Sequence, residues 1–180
     1  MIYNSLQILY LERDSNPLFI AGPPTELLIT NILTTMTNTD VVKSWNEAFF
    51  SGDIEKALGY LADDFQFTGP VPEPLGPQAF MGMMNSMLSA FPDLDNHFEI
   101  TGESGNTVTG SVVMAGTHSQ NFDLSGMGGP VIPPTGKSFR NPKESFIITV
   151  KDGKIARFDV DVPENGGLGN ILNQLGVQMP

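Results

Sequence analysis

The sequence has no cysteine and only two histidines, His97 and His118, which lie far apart in the chain. The absence of cysteine excludes a disulfide framework, a thiol nucleophile and a cysteine-based metal site. The histidines lack the spacing of an HExxH-type motif, and a histidine metal site would need carboxylates as its other ligands. We therefore predict that the protein has no metal site.

Basic residues are also scarce, because 9 Lys and Arg stand against 20 Asp and Glu, which gives a formal net charge of −11. Phosphate-rich partners need basic surface patches, so this charge argues against binding to nucleic acid or anionic lipid. No apolar run approaches the length that spans a membrane. The N-terminus lacks the basic start and the small-residue cleavage site of a secretory signal. These absences predict a cytoplasmic protein with no nucleic-acid and no membrane partner.

The chain has 180 residues, 40% of them hydrophobic, which suffices for one globular domain with its own core. Residues 1–35 lack the patterns of the rest, and Pro17 and the Gly22-Pro23-Pro24 run interrupt any element there. Regular signals begin after Met36. We predict a poorly patterned N-terminal extension over residues 1–35, consistent with a misassigned start or with an N-terminal arm, and a single domain over residues 36–180.

Hydrophobic periodicity predicts three helices, then strands, then a short final helix. Thr39 or Asp40 can cap the first helix. The third helix is rich in methionine, which usually fills a core but can also line an adaptable pocket wall. The predicted helices are 39–50, 54–61, 76–91 and 168–175, and the main predicted strands are 96–103, 107–118, 139–150 and 155–162. Tight turns join neighbouring strands, so we predict an α+β domain whose antiparallel strands curl around a helix and leave a concave face.

The segment from Ser119 to Ser138 is a long Gly/Pro-rich stretch that also holds apolar residues such as Phe122 and Leu124. Long loops in compact domains are typically lids or binding loops. We predict a mobile lid here, because its apolar residues have no predicted strand to join.

The last predicted strand, Ile155 to Val162, carries two carboxylates, Asp159 and Asp161, among apolar neighbours. Pro163 lacks a backbone donor and ends the strand. A carboxylate that an apolar strand draws toward a core is costly to leave charged. Each of the two therefore lies at a solvated edge or serves the chemistry of a site.

Several short motifs, taken together and in this order, resemble the SnoaL-like polyketide cyclases over residues 40–180. The motifs are Trp45-Asn46-Glu47-Ala48-Phe49, Gly52-Asp53, Phe91-Pro92-Asp93-Leu94, Gly116-Thr117-His118, Pro134-Thr135-Gly136-Lys137, Asp152-Gly153-Lys154-Ile155 and Gln174-Leu175-Gly176. The resemblance implies the nuclear-transport-factor-two-like fold, a cone-shaped, curved antiparallel sheet wrapped around helices that encloses a cavity. It also implies a homodimer formed through the sheet.

In these cyclases an Asp near the end of the last strand is the general acid/base of an intramolecular aldol closure, without metal or cofactor. Asp161, followed by Val162 and Pro163, matches that residue best, with one extra residue after the turn. A bulge near residues 158–160 would absorb the extra residue. We predict that it turns Asp161 into the cavity and leaves Asp159 outside, paired with Arg157 or Arg140.

The cyclases also place a His and a Gln on the strand before the turn, and Phe146 and Glu144 occupy those positions here. We therefore predict Asp161 as the catalytic residue, assisted by His118 or Glu144. The alternatives are a solvent-facing Asp161, a hydrogen-bonded His118 at a strand end, and a Glu144 paired with Lys143 outside the cavity. The predicted substrate-binding residues, for some of which plain core packing is the alternative, are Trp45, Phe80, Met84, Met114, Phe146 and Phe158.

The function that this pattern and resemblance favour is that of a small cofactor-independent enzyme of the polyketide cyclase/isomerase type. A carboxylate would move a proton on a hydrophobic carbonyl substrate. Two alternatives remain open: a non-catalytic protein that binds a hydrophobic small molecule, and a dimeric scaffold of the same fold. The expected partners are a small hydrophobic molecule and a second copy of the chain.

Overall fold

A computed structural model describes residues 36–71 and 73–177 of the chain. The N-terminal extension predicted over residues 1–35 lies outside these residues. Within them no helix is long and apolar enough to cross a membrane.

In the described residues four α-helices form where the apolar spacing predicts them, and their bounds are α1 Asn38–Phe50, α2 Ile54–Gly59, α3 Pro77–Ala90 and α4 Gly167–Leu175. The cap of α1 is Thr37, not Thr39 or Asp40 as predicted. Thr37 Oγ1 accepts a hydrogen bond from the Asp40 backbone N–H, and the Asp40 side chain accepts from the Thr37 N–H. This reciprocal capping box satisfies two N–H groups that a helix start otherwise leaves free.

The part of the chain that the structure describes also contains nine strands, with bounds β1 Leu61–Thr68, β2 Glu99–Ser104, β3 Thr107–Val112, β4 Ala115–Thr117, β5 Phe122–Asp123, β6 Val131–Ile132, β7 Ser138–Arg140, β8 Glu144–Lys151 and β9 Lys154–Asp161. Five of them form the main sheet in the order β1-β9-β8-β3-β2. The sheet is curved and unclosed, and the predicted α+β class is confirmed. One feature was not predicted: the edge strand β1 pairs with β9 in parallel, whereas the other pairs of this sheet are antiparallel.

Between residues 36 and 177, two clusters of buried apolar side chains form the core of the described domain. The larger one, the sheet cluster, lies between the inner face of the sheet and helices α1 to α3, and it includes Trp45, Phe80 and Phe158. The smaller one, the loop cluster, joins the end of α3 to α4 and to β5, β6 and β7, and it includes Phe91, Phe122 and others. The two clusters contribute the opposing walls of the cavity described below.

The segment predicted as a lid has more structure than its Gly/Pro content suggests. β5 and β6 pair with each other as a short antiparallel hairpin around a single 3-10 turn, Ser125–Met127. Phe122, Leu124 and Ile132 are buried in the loop cluster. The expectation that these residues have no strand to join is therefore wrong, and the opening of this segment as a lid stays a prediction.

The outer face of the main sheet is mostly polar. Ile147 is 49% exposed, and its partners in register are Thr109 on β3 and Asp159 on β9. The other apolar residues of β8, Phe146, Ile148 and Val150, lie on the inner face of the sheet and are buried.

Homodimerisation remains a prediction, and the structure indicates which residue would lie at the centre of the dimer interface. Because Ile147 is the exposed apolar residue in the middle of the sheet, we expect a dimer to bury it against its copy. Light scattering on a size-exclusion peak should give about twice the 19.5 kDa chain mass for the wild type. It should give the single chain mass for Ile147→Lys. A wild-type monomer at micromolar concentration would reject the prediction.

Candidate functional site

A β-bulge decides which side chains of β9 face the interior. Thr149 pairs with Arg157 but Val150 pairs with Ile155, so Ala156 is the extra residue. A bulge changes which side of the strand the following side chains occupy. As a result Phe158 and Val160 are buried, whereas Asp161 is exposed.

The bulge therefore exists, but it lies earlier than the predicted position near residues 158–160. From there it turns both strand carboxylates outward, and the prediction that Asp161 points into the cavity is wrong. Asp161 lies opposite Ser145, which is also exposed. It is not among the residues that line the cavity.

Asp159 stays on the outer face and binds Arg157, as the sequence predicts. Arg157 Nε donates to both carboxylate oxygens of Asp159, at 2.8 and 2.7 Å, and Thr68 Oγ1 donates to Oδ1. Partial burial raises the pKa of Asp159, but the hydrogen bonds from Arg157 and Thr68 and the charge of Arg157 outweigh it and lower this pKa below its usual value. Asp159 is therefore an ion-pair residue of the outer face.

A cavity of about 100 Å³ lies between the sheet cluster and the loop cluster. Five of the six predicted substrate-binding residues line it, namely Trp45, Phe80, Met84, Met114 and Phe158. Phe146 does not. It lies behind the wall, stacked on Phe98 with ring centroids 4.8 Å apart and in edge contact with Phe158 at 5.5 Å.

Methionine contributes five side chains to the cavity wall: Met83, Met84, Met87, Met114 and Met127. Three of them lie on α3 and one, Met127, lies in the turn after β5. Unbranched methionine side chains adapt to irregular shapes more easily than branched ones. The wall of this cavity can therefore change shape at low cost.

Glu144 is the one ionisable side chain among the described residues that line the cavity. It is the first residue of β8 and is only 4% exposed. The alternation of β8 explains this position, because Glu144, Phe146 and Ile148 share the buried face. One alternative was that Glu144 pairs with Lys143 outside the cavity, and this pair does not form. Instead, Lys143 binds Glu99 at 3.4 Å on the surface.

One oxygen of Glu144 is held and the other is not. Oε1 accepts hydrogen bonds from the Gly167 backbone N–H at 2.7 Å and from Asn141 Nδ2 at 3.0 Å. Asn141 is held in turn, because its Oδ1 accepts from Asn170 Nδ2 at 3.0 Å. Within the described chain Oε2 has no hydrogen-bond donor, so it is the oxygen that can exchange a proton with a bound molecule.

The asparagines of the cavity wall were not predicted as site residues, and Trp45 was predicted as a binding residue but not as a hydrogen-bond donor. Asn141 belongs to the network around Glu144, and Asn96 Nδ2 donates to Asn46 Oδ1 at 2.9 Å on another part of the wall. Trp45 Nε1 is buried and has no hydrogen-bond partner among the described residues. Asn46 and Trp45 belong to a motif that carries the family resemblance, and this motif could have indicated them as residues of the cavity wall. Asn141 and Asn96 precede strands without any pattern that marks them.

His118, predicted to assist the catalytic residue, does not line the cavity. It is fully buried in the loop cluster between Phe91 and Phe122, at centroid distances of 5.3 and 6.2 Å. The Thr135 backbone N–H donates to Nδ1 at 3.3 Å, and Thr135 Oγ1 lies 3.1 Å from the same nitrogen. The predicted role is therefore wrong, because the loop cluster encloses the ring away from the cavity.

The pH dependence of folding should show the burial of His118. Burial lowers the pKa of His118 below its usual value, against a smaller opposing effect of a hydrogen bond with the Gln120 backbone. Below pH ~6.5 the unfolded chain binds a proton at this position and the folded chain does not, so stability falls as the pH falls. The loss ends once the pH passes the lower, folded-state pKa.

His118→Asn keeps an acceptor for the Thr135 N–H but does not titrate. We expect the wild type to be more stable than this variant at pH 7.5, and the difference in free energy of unfolding to shrink by pH 5. Urea unfolding at several pH values measures this difference. Parallel pH profiles for the two proteins would contradict the expectation.

Among the described residues, no three potential ligands of the His, Asp or Glu type converge on a point where they could hold a metal ion. The fold and the cavity instead define a small α+β protein with one carboxylate inside an apolar, methionine-rich pocket. A family model described as the SnoaL-like domain matches residues 42–158. The chain belongs to the SnoaL-like family.

Solved structures of similar fold come from several bacteria. IdmH of Streptomyces antibioticus, a candidate polyketide cyclase, is 26% identical, with a TM-score of 0.55 and coverage of 78% of this chain and 99% of that one. A candidate polyketide cyclase of Pseudomonas putida KT2440 is 20% identical, with a TM-score of 0.59 and coverage of 76% and 99%. AclR of Streptomyces galilaeus, a candidate hydroxylase, is 18% identical, with a TM-score of 0.60 and coverage of 81% and 100%. Comparison of the sequence with curated proteins gives no match.

Proposed function

We propose that the protein is a cofactor-independent enzyme of the cyclase/isomerase type and that Glu144 is its acid/base. The observation that carries this proposal is the position of Glu144, a buried carboxylate in the apolar cavity with one oxygen fixed and the other free. Membership of the SnoaL-like family supports the cyclase type. The different names given to the solved relatives indicate that the fold alone does not fix the reaction.

The reaction begins with removal of a proton by Glu144 Oε2 from the carbon next to a substrate carbonyl. The electron pair of the broken C–H bond moves onto the carbonyl oxygen and forms an enolate. In an isomerisation, Glu144 returns the proton at a different carbon. In a cyclisation, the enolate carbon attacks a second carbonyl of the same molecule, and Glu144 returns the proton to the alkoxide that results.

The chain contributes position and environment to this chemistry. The hydrogen bonds to Oε1 orient the carboxylate before the substrate binds. The Glu144 side chain therefore loses no rotational freedom when Oε2 meets the substrate in each catalytic cycle. The aromatic and methionine walls exclude water, and a charge that moves inside such a wall interacts more strongly with its neighbours than it does in water.

The size of the cavity indicates the size of the substrate. Ligand pockets typically measure about 300–1,000 Å³, whereas this cavity measures about 100 Å³. A compact molecule of one or two rings fits if methionine side chains of the wall move aside. The proposed substrate is therefore a compact, neutral, largely apolar carbonyl compound.

Exchange of α-protons tests the proposal without knowledge of the natural substrate. We expect the wild type to accelerate the exchange of the α-protons of 2-tetralone in D2O, followed by proton NMR, and the hydrocarbon tetralin to inhibit competitively. Asp161→Asn should exchange at the wild-type rate because Asp161 lies outside the cavity. A wild type that binds 2-tetralone but does not exchange its protons would reject the acid/base function.

That last result would favour the alternative of a non-catalytic binding protein. One observation supports the alternative: Glu144 Oε1 accepts from Gly167, the first residue of α4, so the side chain also fixes that helix. If the only role of Glu144 were to fix α4, its carboxylate would still line the cavity, as the structure shows.

A further inference from the structure

The indole N–H of Trp45 is a buried donor with no hydrogen-bond partner among the described residues. Trp45 is only 2% exposed and lines the cavity that holds Glu144. Buried polar groups in folded proteins almost always have a partner, because an unpaired one is costly. A donor left unpaired on a cavity wall therefore indicates a group that a bound molecule would satisfy.

The surroundings of the ring explain why the protein itself supplies no acceptor. Trp45 is stacked with Phe49 and Phe80, at centroid distances of 6.4 and 6.0 Å, and meets Phe158 edge-on at 5.7 Å. These rings fix the orientation of the indole but offer at most a weak aromatic acceptor. These contacts hold the indole ring in one orientation, so its N–H keeps one direction.

We propose that Trp45 Nε1–H donates a hydrogen bond to the carbonyl oxygen of the substrate. The inference rests on the proposed function and narrows its substrate class to neutral carbonyl compounds. An indole N–H donates only, so it selects an acceptor oxygen over a C–H group of the same shape. A carboxylate ligand would be repelled by Glu144 in the same cavity, which favours a neutral acceptor oxygen. The proposed removal of an α-proton requires that oxygen to belong to a carbonyl group. The same hydrogen bond strengthens as negative charge develops on that oxygen.

Trp45 is the single tryptophan of the chain, so an analogue incorporated in place of tryptophan changes this residue alone. 3-Benzothienylalanine replaces the N–H with sulfur and keeps the size of the ring system. 5-Fluorotryptophan keeps the N–H and controls for the effects of incorporation. The single indole N–H also gives one assignable peak in a nitrogen–proton correlation spectrum.

The experiment titrates the full-length protein with 2-tetralone and with tetralin, which has the same two rings but no carbonyl. We expect 2-tetralone, and not tetralin, to shift the indole proton peak downfield. The benzothienyl protein should bind 2-tetralone about 3- to 10-fold more weakly than the 5-fluorotryptophan protein, the range of one neutral hydrogen bond. Both proteins should bind tetralin equally.

The outcomes separate this inference from the proposed function. If 2-tetralone binds and its α-protons exchange while the indole peak does not shift downfield, the role of Trp45 is rejected and the acid/base function stands. If the peak shifts and the benzothienyl protein binds more weakly but the wild type catalyses no exchange, the role of Trp45 stands and the acid/base function is rejected. If neither compound binds, both are rejected.

Discussion

Glu144→Gln should slow the exchange of 2-tetralone α-protons by about 10²- to 10⁴-fold, the usual contribution of general acid–base catalysis. The side-chain amide oxygen can still accept from the Gly167 N–H and from Asn141 Nδ2, so the network around position 144 persists. The change replaces Oε2 with an NH2 group, which cannot take a proton from carbon. Proton NMR in D2O measures the rate, and the affinity for 2-tetralone should change little.

Two further variants test whether the loss of rate in Glu144→Gln is due to the loss of Oε2. Glu144→Asp keeps the carboxylate but withdraws it by one methylene, so we expect an intermediate loss of rate because proton transfer depends on position. Asp161→Asn removes a carboxylate from the outer face and should leave the rate unchanged. A folded Glu144→Gln protein, judged by an unchanged melting temperature, that exchanges at the wild-type rate would show that Glu144 is not the base.

Gly110→Ala should lower the free energy of unfolding by about 3 kcal/mol, the upper end of the usual cost of overpacking. A Cβ at this position would lie 2.2 Å from the backbone oxygen of Glu99 and 2.3 Å from Cζ of Phe146. The first of these atoms belongs to a paired strand, so β2 and β3 would have to separate locally. The second belongs to the ring that packs behind the cavity wall through Phe98 and Phe158.

The same change at Gly82 is the matched control. Gly82 lies inside α3 and a Cβ there would meet nothing within 4 Å. Gly82→Ala should therefore raise stability by about 0.5–1 kcal/mol, because alanine restricts the unfolded chain more than glycine does. Urea unfolding of the two variants should give effects of opposite sign. Equal effects would mean that the contacts around Gly110 relax without cost.

The helices and the inner strands of this protein are predictable because burial imposes a period on the sequence. Val41, Val42 and Trp45 share a face of α1 because a helix turns every 3.6 residues, and the structure buries all three. On β8 the alternation of a strand likewise puts Glu144, Phe146 and Ile148 on one face. These are local patterns, and the sequence contains them in full.

The orientation of the last-strand carboxylates depends on a feature that no local pattern locates. The extra residue after the turn predicts a bulge, but a bulge at Ala156 and one near Val160 have opposite consequences for Asp161. The side chains that bury best decide between them. Phe158 packs against Trp45, Phe67, Phe80 and Phe146, and this packing outweighs any arrangement that would turn Asp161 inward.

The network around Glu144 was unpredictable for a different reason. Gly167 lies 23 residues after Glu144, and Asn170 lies 29 residues after Asn141, so these contacts depend on how α4 returns to the sheet. His118 shows the same limit, because its motif resembles the family but its burial depends on the hairpin of β5 and β6. The residue types indicated candidate site residues, and only the three-dimensional path of the chain determined which of these residues contact one another.

The bulge at Ala156 lets β9 carry one residue more than its neighbour without exchanging its two faces. Deletion of Ala156 would leave a regular strand in which Ile155 and Phe158 are two positions apart, so both would stay inside, and Asp159 and Asp161 would stay outside. Loss or gain of one codon at this point can thus leave the cavity wall unchanged over evolutionary time. The distance of Asp161 from the turn is therefore a weaker guide to its role than the face of the strand that carries it.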